Sequence, residues 1–488
     1  MVGGVVIRRC FPAGFTDGGV CAPTLPRYEE GVLPDSDLTG LTAAEAAARI
    51  ARGEMSSEKL VSACLERIAA LEPQVQAWAF HDREHALGQA RAADRLSGEG
   101  KGVGPLHGVP IGVKDIIDTT DLPTENGCRA HQGRQPAADA QCVSALRRAG
   151  AVIMGKTVTT ELAAFTPGKT HNPRNLEHTP GGSSSGSAAA VAAGMVPAAL
   201  GTQTVGSVIR PGAFCGIYGL KPTFGVIPRA GVLTQAPSLD TVGVYARSVE
   251  DLALLTDVLQ GHDQRDPASL LSSRPRLLAT ATQDWPLDPL FAFVKTHAWN
   301  QADAATHEAF GELIEELGGQ ATEIGLEHTT EAGYAAARLV QKVEMALQFG
   351  PLLDRSPDLL SDNLREQLED GRRVSGVAYL AALNAREKFY AAVEEVLLNY
   401  GTVLTPAALG PAPKGLGSTG NPVFCGFWTY LGVPAVTLPL LETAGLPMGV
   451  QLIGARRDDG RLLRTARWLV RRLAGAGGNA SIPQRPAA

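Results

Sequence analysis

Paired cysteine spacing is missing from this 488-residue chain. Its seven cysteines, Cys10, Cys21, Cys64, Cys128, Cys142, Cys215 and Cys425, are odd in number and scattered. That pattern argues against a disulfide framework or a CxxC-type metal site and suits reduced thiols in the cytoplasm. Basic blocks are missing too: 44 lysines and arginines against 50 acidic residues give a net charge of −6, with no run that could track a phosphate backbone. No nucleic-acid partner is expected on that ground. No stretch approaches the roughly 18 uninterrupted apolar residues that cross a bilayer, and no apolar run of signal-peptide length follows Arg8 and Arg9. No membrane partner is expected either.

What is present is a change of texture along the chain. Residues 1–37 are rich in glycine and proline without periodicity and read as an N-terminal extension. Thr42 and Glu45 form a capping-box pattern, and Leu60, Val61, Cys64, Leu65 and Ile68 share one helical face. From about residue 100, short apolar runs cut by glycine and proline ("GVPIGVKDI", "AVIMGKT", "MVPAALGTQT") suggest buried strands. Helix-period segments dominate 262–400, and strand texture returns over 401–475 in "VPAVTLPL" and "MGVQLIG". A single α/β domain over 38–475 explains that order, with its core in 100–261 and 401–475 and a helical variable region at 262–400. Residues 476–488 read as a flexible tail.

Several short patterns compete as functional motifs. "GAVIMGKT", Gly150 to Thr157, has Walker A spacing, but its apolar middle reads as a strand where phosphate needs a loop. "HDREH", His81 to His85, fits a zinc-hydrolase pattern without a downstream partner and reads as a solvated helix face. Ser56 to Lys59 with Ser361 to Asn363 fits two of three penicillin-binding elements, but no KTG follows, and Ser56 sits where a helix N-cap is wanted. "GSSSG", Gly182 to Gly186, matches a nucleophile elbow around Ser184, yet the polar, turn-forming "HNPRNLEHTPG" stands where a strand is required.

Three other stretches share one chemical logic. "PLHGVPIGVKD" places Lys114 at the end of an apolar run, where desolvation favours the neutral amine. Being mostly neutral near pH 7.5 requires its pKa to fall by about 3, roughly 4 kcal/mol. "PGGSSSGSAAAVAAG" supplies a serine-rich turn, and "LGTQTVGSVIRPGAFCG" presents Ser207 after a strand. The backbone N–H groups of Thr204, Val205, Gly206 and Ser207 can point together at a developing oxyanion.

These elements, with "FCGIYGLKPTFG", "SLDTVGVYARSVEDLALL" and "LPMGVQLIG", resemble the amidase signature hydrolases over about residues 40–475. The resemblance implies a mixed β-sheet covered by helices on both faces, interrupted by a helical insertion. It implies a Ser/cis-Ser/Lys triad in which Ser207 is the nucleophile, Ser183 the relay with a cis peptide bond before it, and Lys114 the base, without cofactor or metal. The common TDTGGSIR pattern is replaced by Gln203, Val205 and an extra residue before Arg210, a form similar to the malonamidase-type branch. There the arginine is associated with a substrate carboxylate; for Arg210 a structural ion pair stays open. Val205 is expected at negative φ.

The implied function is cleavage of a linear carboxamide to carboxylic acid and ammonia or amine through an acyl-enzyme, on a carboxylate-bearing small-molecule amide, in a cytoplasmic homodimer. Two alternatives remain: the glutaminase (A-type) subunit of a tRNA-dependent amidotransferase, and an inactive binding protein on the same fold.

Overall fold

The computed structural model describes residues 6–7, 36–102 and 104–475. The expected extension lies outside the described residues except for 6–7 and 36–37, and the expected tail, 476–488, lies outside them entirely.

Twelve strands form one sheet. They are β1 (Val6–Ile7), β2 (Trp78–His81), β3 (Pro110–Lys114), β4 (Val152–Thr157), β5 (Ala198–Gln203), β6 (Tyr218–Lys221), β7 (Thr241–Ala246), β8 (Leu290–Lys295), β9 (Ala321–Gly325), β10 (Gly401–Pro406), β11 (Ala435–Thr443) and β12 (Leu446–Ile453). Their order is β2-β4-β3-β5-β7-β6-β11-β12-β10-β8-β9, with β1 paired to β11. The sheet is mixed: β3 is parallel to β4 and β5, and β8 is parallel to β9 and β10, while β5–β7, β6–β11 and β11–β12 are antiparallel. Every residue of β3, β4, β5, β7 and β12 is buried. Both faces of these strands are therefore covered, which is why they read as continuous apolar runs without alternation. Segment 262–400 is not wholly helical, since β8 and β9 join the sheet beside β10. Its "LFAFVK" run buries four consecutive residues against the shared core, a length too short for a helix to exploit.

The competing motifs fall into structural places. Val152 to Thr157 is a buried strand, so the Walker spacing holds no loop. Ser56 and Ser361 cap helices through their side chains. His81 ends β2 while His85 lies in the helix Arg83–Gly98 and contacts Asp121 at 2.9 Å, so the two histidines share no helix face. The Thr42–Glu45 capping box forms in full.

The helix Ser185–Ala192 is buried throughout, which its small residues permit, the hydroxyls of Ser185 and Ser187 being bonded to backbone carbonyls. Small residues let it lie directly on the sheet: a Cβ at Gly186 would run into the Ala77 carbonyl oxygen and the Val158 backbone nitrogen. Neither obstacle is a side chain that can turn away. Gly186→Ala should therefore destabilise the fold by about 3 kcal/mol or more, read as a lowered Tm; an unchanged Tm would show that the helix can lift off the sheet.

Candidate active site

Because β3 and β5 run parallel and adjacent, their carboxyl ends open side by side, the place where α/β sheets receive ligands. Lys114 is the last residue of β3 and is fully buried. Its Nζ lies 2.7 Å from Ser183 Oγ and 2.7 Å from Thr202 Oγ1, the latter on β5. No carboxylate forms an ion pair with it among the described residues, and burial holds its pKa well below the ordinary lysine value, opposed by the more distant charge of Asp240. A neutral amine in this position donates to Thr202 and offers its lone pair to the Ser183 hydroxyl.

The Gly182–Ser183 peptide bond is cis. The neighbouring serines hold the turn: Ser184 Oγ donates to the Thr202 carbonyl and accepts from the Thr202 N–H, both at 3.1 Å, and Ser185 Oγ donates to the Gly181 carbonyl. Ser184, the centre of the elbow-like pattern, is thus occupied in both directions by backbone.

Ser207 stands in the turn after β5 and is only partly buried. This turn is pinned from outside. Thr204 Oγ1 donates to Asp240, Thr429 Oγ1 donates to the Val205 carbonyl at 2.7 Å, and Tyr245 donates its phenol to the Ser207 carbonyl at 3.0 Å. Gln203 replaces the family's usual acid and has a clear task here: its Oε1 accepts the N–H groups of Val208 and Ile209, satisfying orphan donors that open the helix Ile209–Cys215. Among the described hydrogen bonds, the N–H groups of Val205, Gly206 and Ser207 have no acceptor. They remain available for an oxyanion. Val205 is not among the residues of positive φ, as expected. Among the described residues Lys114 is bonded to Ser183, and no hydrogen bond joins Ser207 to Ser183.

Arg210 is buried, and among the described residues it forms no ion pair. It donates to the carbonyls of Thr419 (2.7 Å) and Gly182 (2.8 Å), while its Nη1 has no partner. Arg210 and Ser207 line one narrow cleft with Phe165, Val205, Gln341 and Pro422. Sequence reasoning missed Thr202, Asp240, Thr429 and Gln341. Thr202 and Asp240 carried a signal, as polar residues in or beside buried strands; Thr429 and Gln341 come from distant segments that only the tertiary fold brings in.

The family model for amidases matches residues 59–463. The chain belongs to the amidase family. It is 34% identical over 471 residues to the A-type subunit of the glutamyl-tRNA(Gln) amidotransferase of Chloroflexus aggregans, covering 88% of this chain and 96% of that one. It is 35% identical over 470 residues to the corresponding protein of Roseiflexus castenholzii, covering 87% and 94%. Among solved structures, the native peptide amidase of Stenotrophomonas maltophilia superposes with a TM-score of 0.76 at 27% identity, over 91% of this chain and 98% of that one. A chain from a vestigial protein complex bearing on the origins of an s-triazine catabolic enzyme reaches a TM-score of 0.82 at 28% identity, over 91% and 100%. The amidase is thus a hydrolase acting on amide C–N bonds. These relatives correct one expectation. A small-molecule amide as sole partner of a homodimer, with nucleic acid excluded, does not stand, because the relatives are named as one subunit of an enzyme of tRNA. The composition argument failed because it tests whether a chain itself tracks a phosphate backbone, and one component of a larger enzyme need not do so. Among the described residues, no helix of the amidase is long and apolar enough to cross a membrane, and no cluster of His, Cys, Asp or Glu could hold a metal ion.

A second buried lysine provides an internal control. Lys156 lies 3.3 Å from Asp115 and also donates to Thr124 and Pro123, so its charge is compensated and it touches no serine. Lys114→Ala should slow covalent labelling of the active serine by a fluorophosphonate by about 10³-fold, within the range for loss of a general base. Lys156→Ala should instead lower Tm by leaving Asp115 buried without its partner. In the wild type, the labelling rate should rise with pH as Lys114 loses its proton and level off below the ordinary lysine range. A rate still climbing through pH 10 would mean that the amine is not depressed.

Proposed function

We propose that this amidase hydrolyses a carboxamide through an acyl-enzyme on Ser207. The observation that carries the reading is the buried Lys114 amine, 2.7 Å from the Ser183 hydroxyl with no carboxylate paired to it. Neutral Lys114 accepts the Ser183 proton as Ser183 accepts that of Ser207, and Ser207 Oγ attacks the amide carbon. The oxyanion is received by the N–H groups of the turn Thr204, Val205, Gly206 and Ser207. Collapse breaks the C–N bond, and the proton carried by the relay passes to the departing nitrogen, which leaves as ammonia or amine. Water, activated by the same serine–lysine pair, then cleaves the ester and releases the acid. No step calls for a cofactor. The unpartnered Nη1 of Arg210 in the cleft beside Ser207 supports a carboxylate on the acyl group.

The physiological role favoured by the relatives is that of the A-type glutaminase subunit of a tRNA-dependent amidotransferase. Relatives of that name match this chain at 34–35% identity over nearly their full length. Glutamine, a carboxamide bearing a carboxylate, fits the chemistry described above.

Ser207→Ala should reduce amide hydrolysis at least ~10⁴-fold while leaving Tm unchanged. Wild-type turnover in that variant would refute the assignment. For the role, ammonia release from glutamine should rise at least tenfold when the remaining amidotransferase subunits of a relative are added; equal rates with and without them would favour a free-standing amidase.

A further inference from the structure

Asp240 has no place in the relay, yet it is buried against the reacting turn, immediately before β7. One carboxylate oxygen accepts the Thr204 hydroxyl at 2.6 Å. The other accepts the backbone N–H groups of Gln235 and Ala236, each at 2.8 Å. No cation pairs with the carboxylate among the described residues: the nearby Arg229 is engaged by the Asp266 carboxylate and reaches only the main-chain carbonyl of Asp240. A buried carboxylate held by three neutral donors and no cation is costly, and burial raises its pKa to about 6. Packing alone would be served as well by an apolar residue.

The bonds made by Asp240 have a direction. Gln235, whose N–H it holds, accepts from Gln341 Nε2 at 3.0 Å and donates to the Leu162 carbonyl at 3.2 Å. Gln341 belongs to the helix Glu327–Arg355 and lines the cleft with Ser207, as do Gln235, Ala163 and Thr204. Thr204, Ala163 and Gln235 also line a cavity of about 300 Å³ that touches Asp240 and Thr202, the second partner of Lys114. The bond therefore joins Asp240, which lines that cavity, to Thr204, which lines both the cavity and the cleft. It fixes the first residue of the turn whose next three N–H groups are unclaimed.

We propose that Asp240 is a positioning residue for amide cleavage, its carboxylate acting through the Thr204 hydroxyl to hold the turn 204–207 so that its N–H groups converge on the oxyanion. This rests on the reading of Ser207 as nucleophile. Because the contact acts on the oxyanion and not on substrate binding, its loss falls on kcat and leaves KM nearly unchanged.

The discriminating variants are Thr204→Val, which keeps shape and removes only the hydroxyl, and Thr204→Ser, which keeps the hydroxyl. Steady-state ammonia release should show kcat reduced 10- to 100-fold in Thr204→Val with KM within threefold of the wild type. Thr204→Ser should recover most of that loss. Asp240→Ala should lose a similar factor, and the Asp240→Ala/Thr204→Val double variant should be no slower than the slower single one, since both remove the Thr204–Asp240 bond. Thr204→Val at the wild-type kcat, or losses that multiply in the double variant, would overturn the proposal. Where Asp240→Ala does not fold, the Thr204 pair alone decides. Ser207→Ala assayed in parallel separates the two failures: an active Ser207→Ala refutes the nucleophile, whereas an inactive one beside a wild-type Thr204→Val refutes only the role of Asp240.

Discussion

A lysine kept uncharged inside the protein is the constraint on which the rest of this structure depends. The chain buries three lysines completely, and their surroundings differ in one respect. Lys156 has Asp115 within ion-pair distance, whereas Lys221 and Lys114 feel only the more distant charges of Asp459 and Asp240, and burial brings Lys221 down to about 7 and Lys114 well below the ordinary lysine value. Lys114 meets two hydroxyls instead. A carboxylate in contact would hold the proton on the amine and remove the base; water would do the same by solvating the ammonium. The two-sided burial of β3, β4 and β5 and the fully buried helix Ser185–Ala192, whose serine hydroxyls are bonded within the protein, serve that exclusion as much as they serve stability.

The same economy governs the turn that follows β5. Its Thr204 hydroxyl and the carbonyls of Val205 and Ser207 are bonded outward, to Asp240, Thr429 and Tyr245, and Gln203 satisfies the first N–H groups of the next helix. What remains without an acceptor among the described hydrogen bonds is a short row of N–H donors in residues that line the cleft. Orientation of that kind has to be prepaid by the fold, because a donor that must reorganise during the reaction stabilises little. It also explains how valine can stand at 205 where the common pattern has glycine: held from its carbonyl side, the turn runs through negative φ and asks for no left-handed residue there.

Lys114 and Ser207 stood out by local pattern, a lysine ending an apolar run and a serine in a turn after a strand, whereas Ser183 was singled out only by the family resemblance. The buried strands of the sheet were legible for the same local reason. Their partners were not. Thr429 lies 224 residues from the carbonyl it binds, and Gln341 lies 106 residues from Gln235, so no spacing rule connects them. β8 and β9 were hidden because two short strands embedded among long amphipathic helices give a weaker signal than the helices around them. Composition misled on partners because net charge describes a surface in solution and says little about a chain whose relatives work within a larger enzyme.

In the proposed reading Arg210 would serve recognition and loop geometry with one side chain. Its Nη2 donates to the carbonyl of Gly182, the residue whose peptide bond to Ser183 is cis, and its Nε anchors the loop at Thr419. Only Nη1 is left for a ligand. A lysine could supply the charge but not three donors in a fixed plane, so it could not brace the serine loop and meet a carboxylate at once. An acid buried beside Arg210 would have quenched it; the described residues place none there. In the proposed reading, a substrate carboxylate completes the set of partners that Arg210 lacks, and it does so on the guanidinium that already braces Ser183. A substrate without that anion would leave a buried N–H unpaired, which is the more costly half of any hydrogen-bond exchange. Discrimination by such a site follows from what is left unsatisfied more than from what is gained, and it holds whether the released ammonia goes to solvent or to a partner protein.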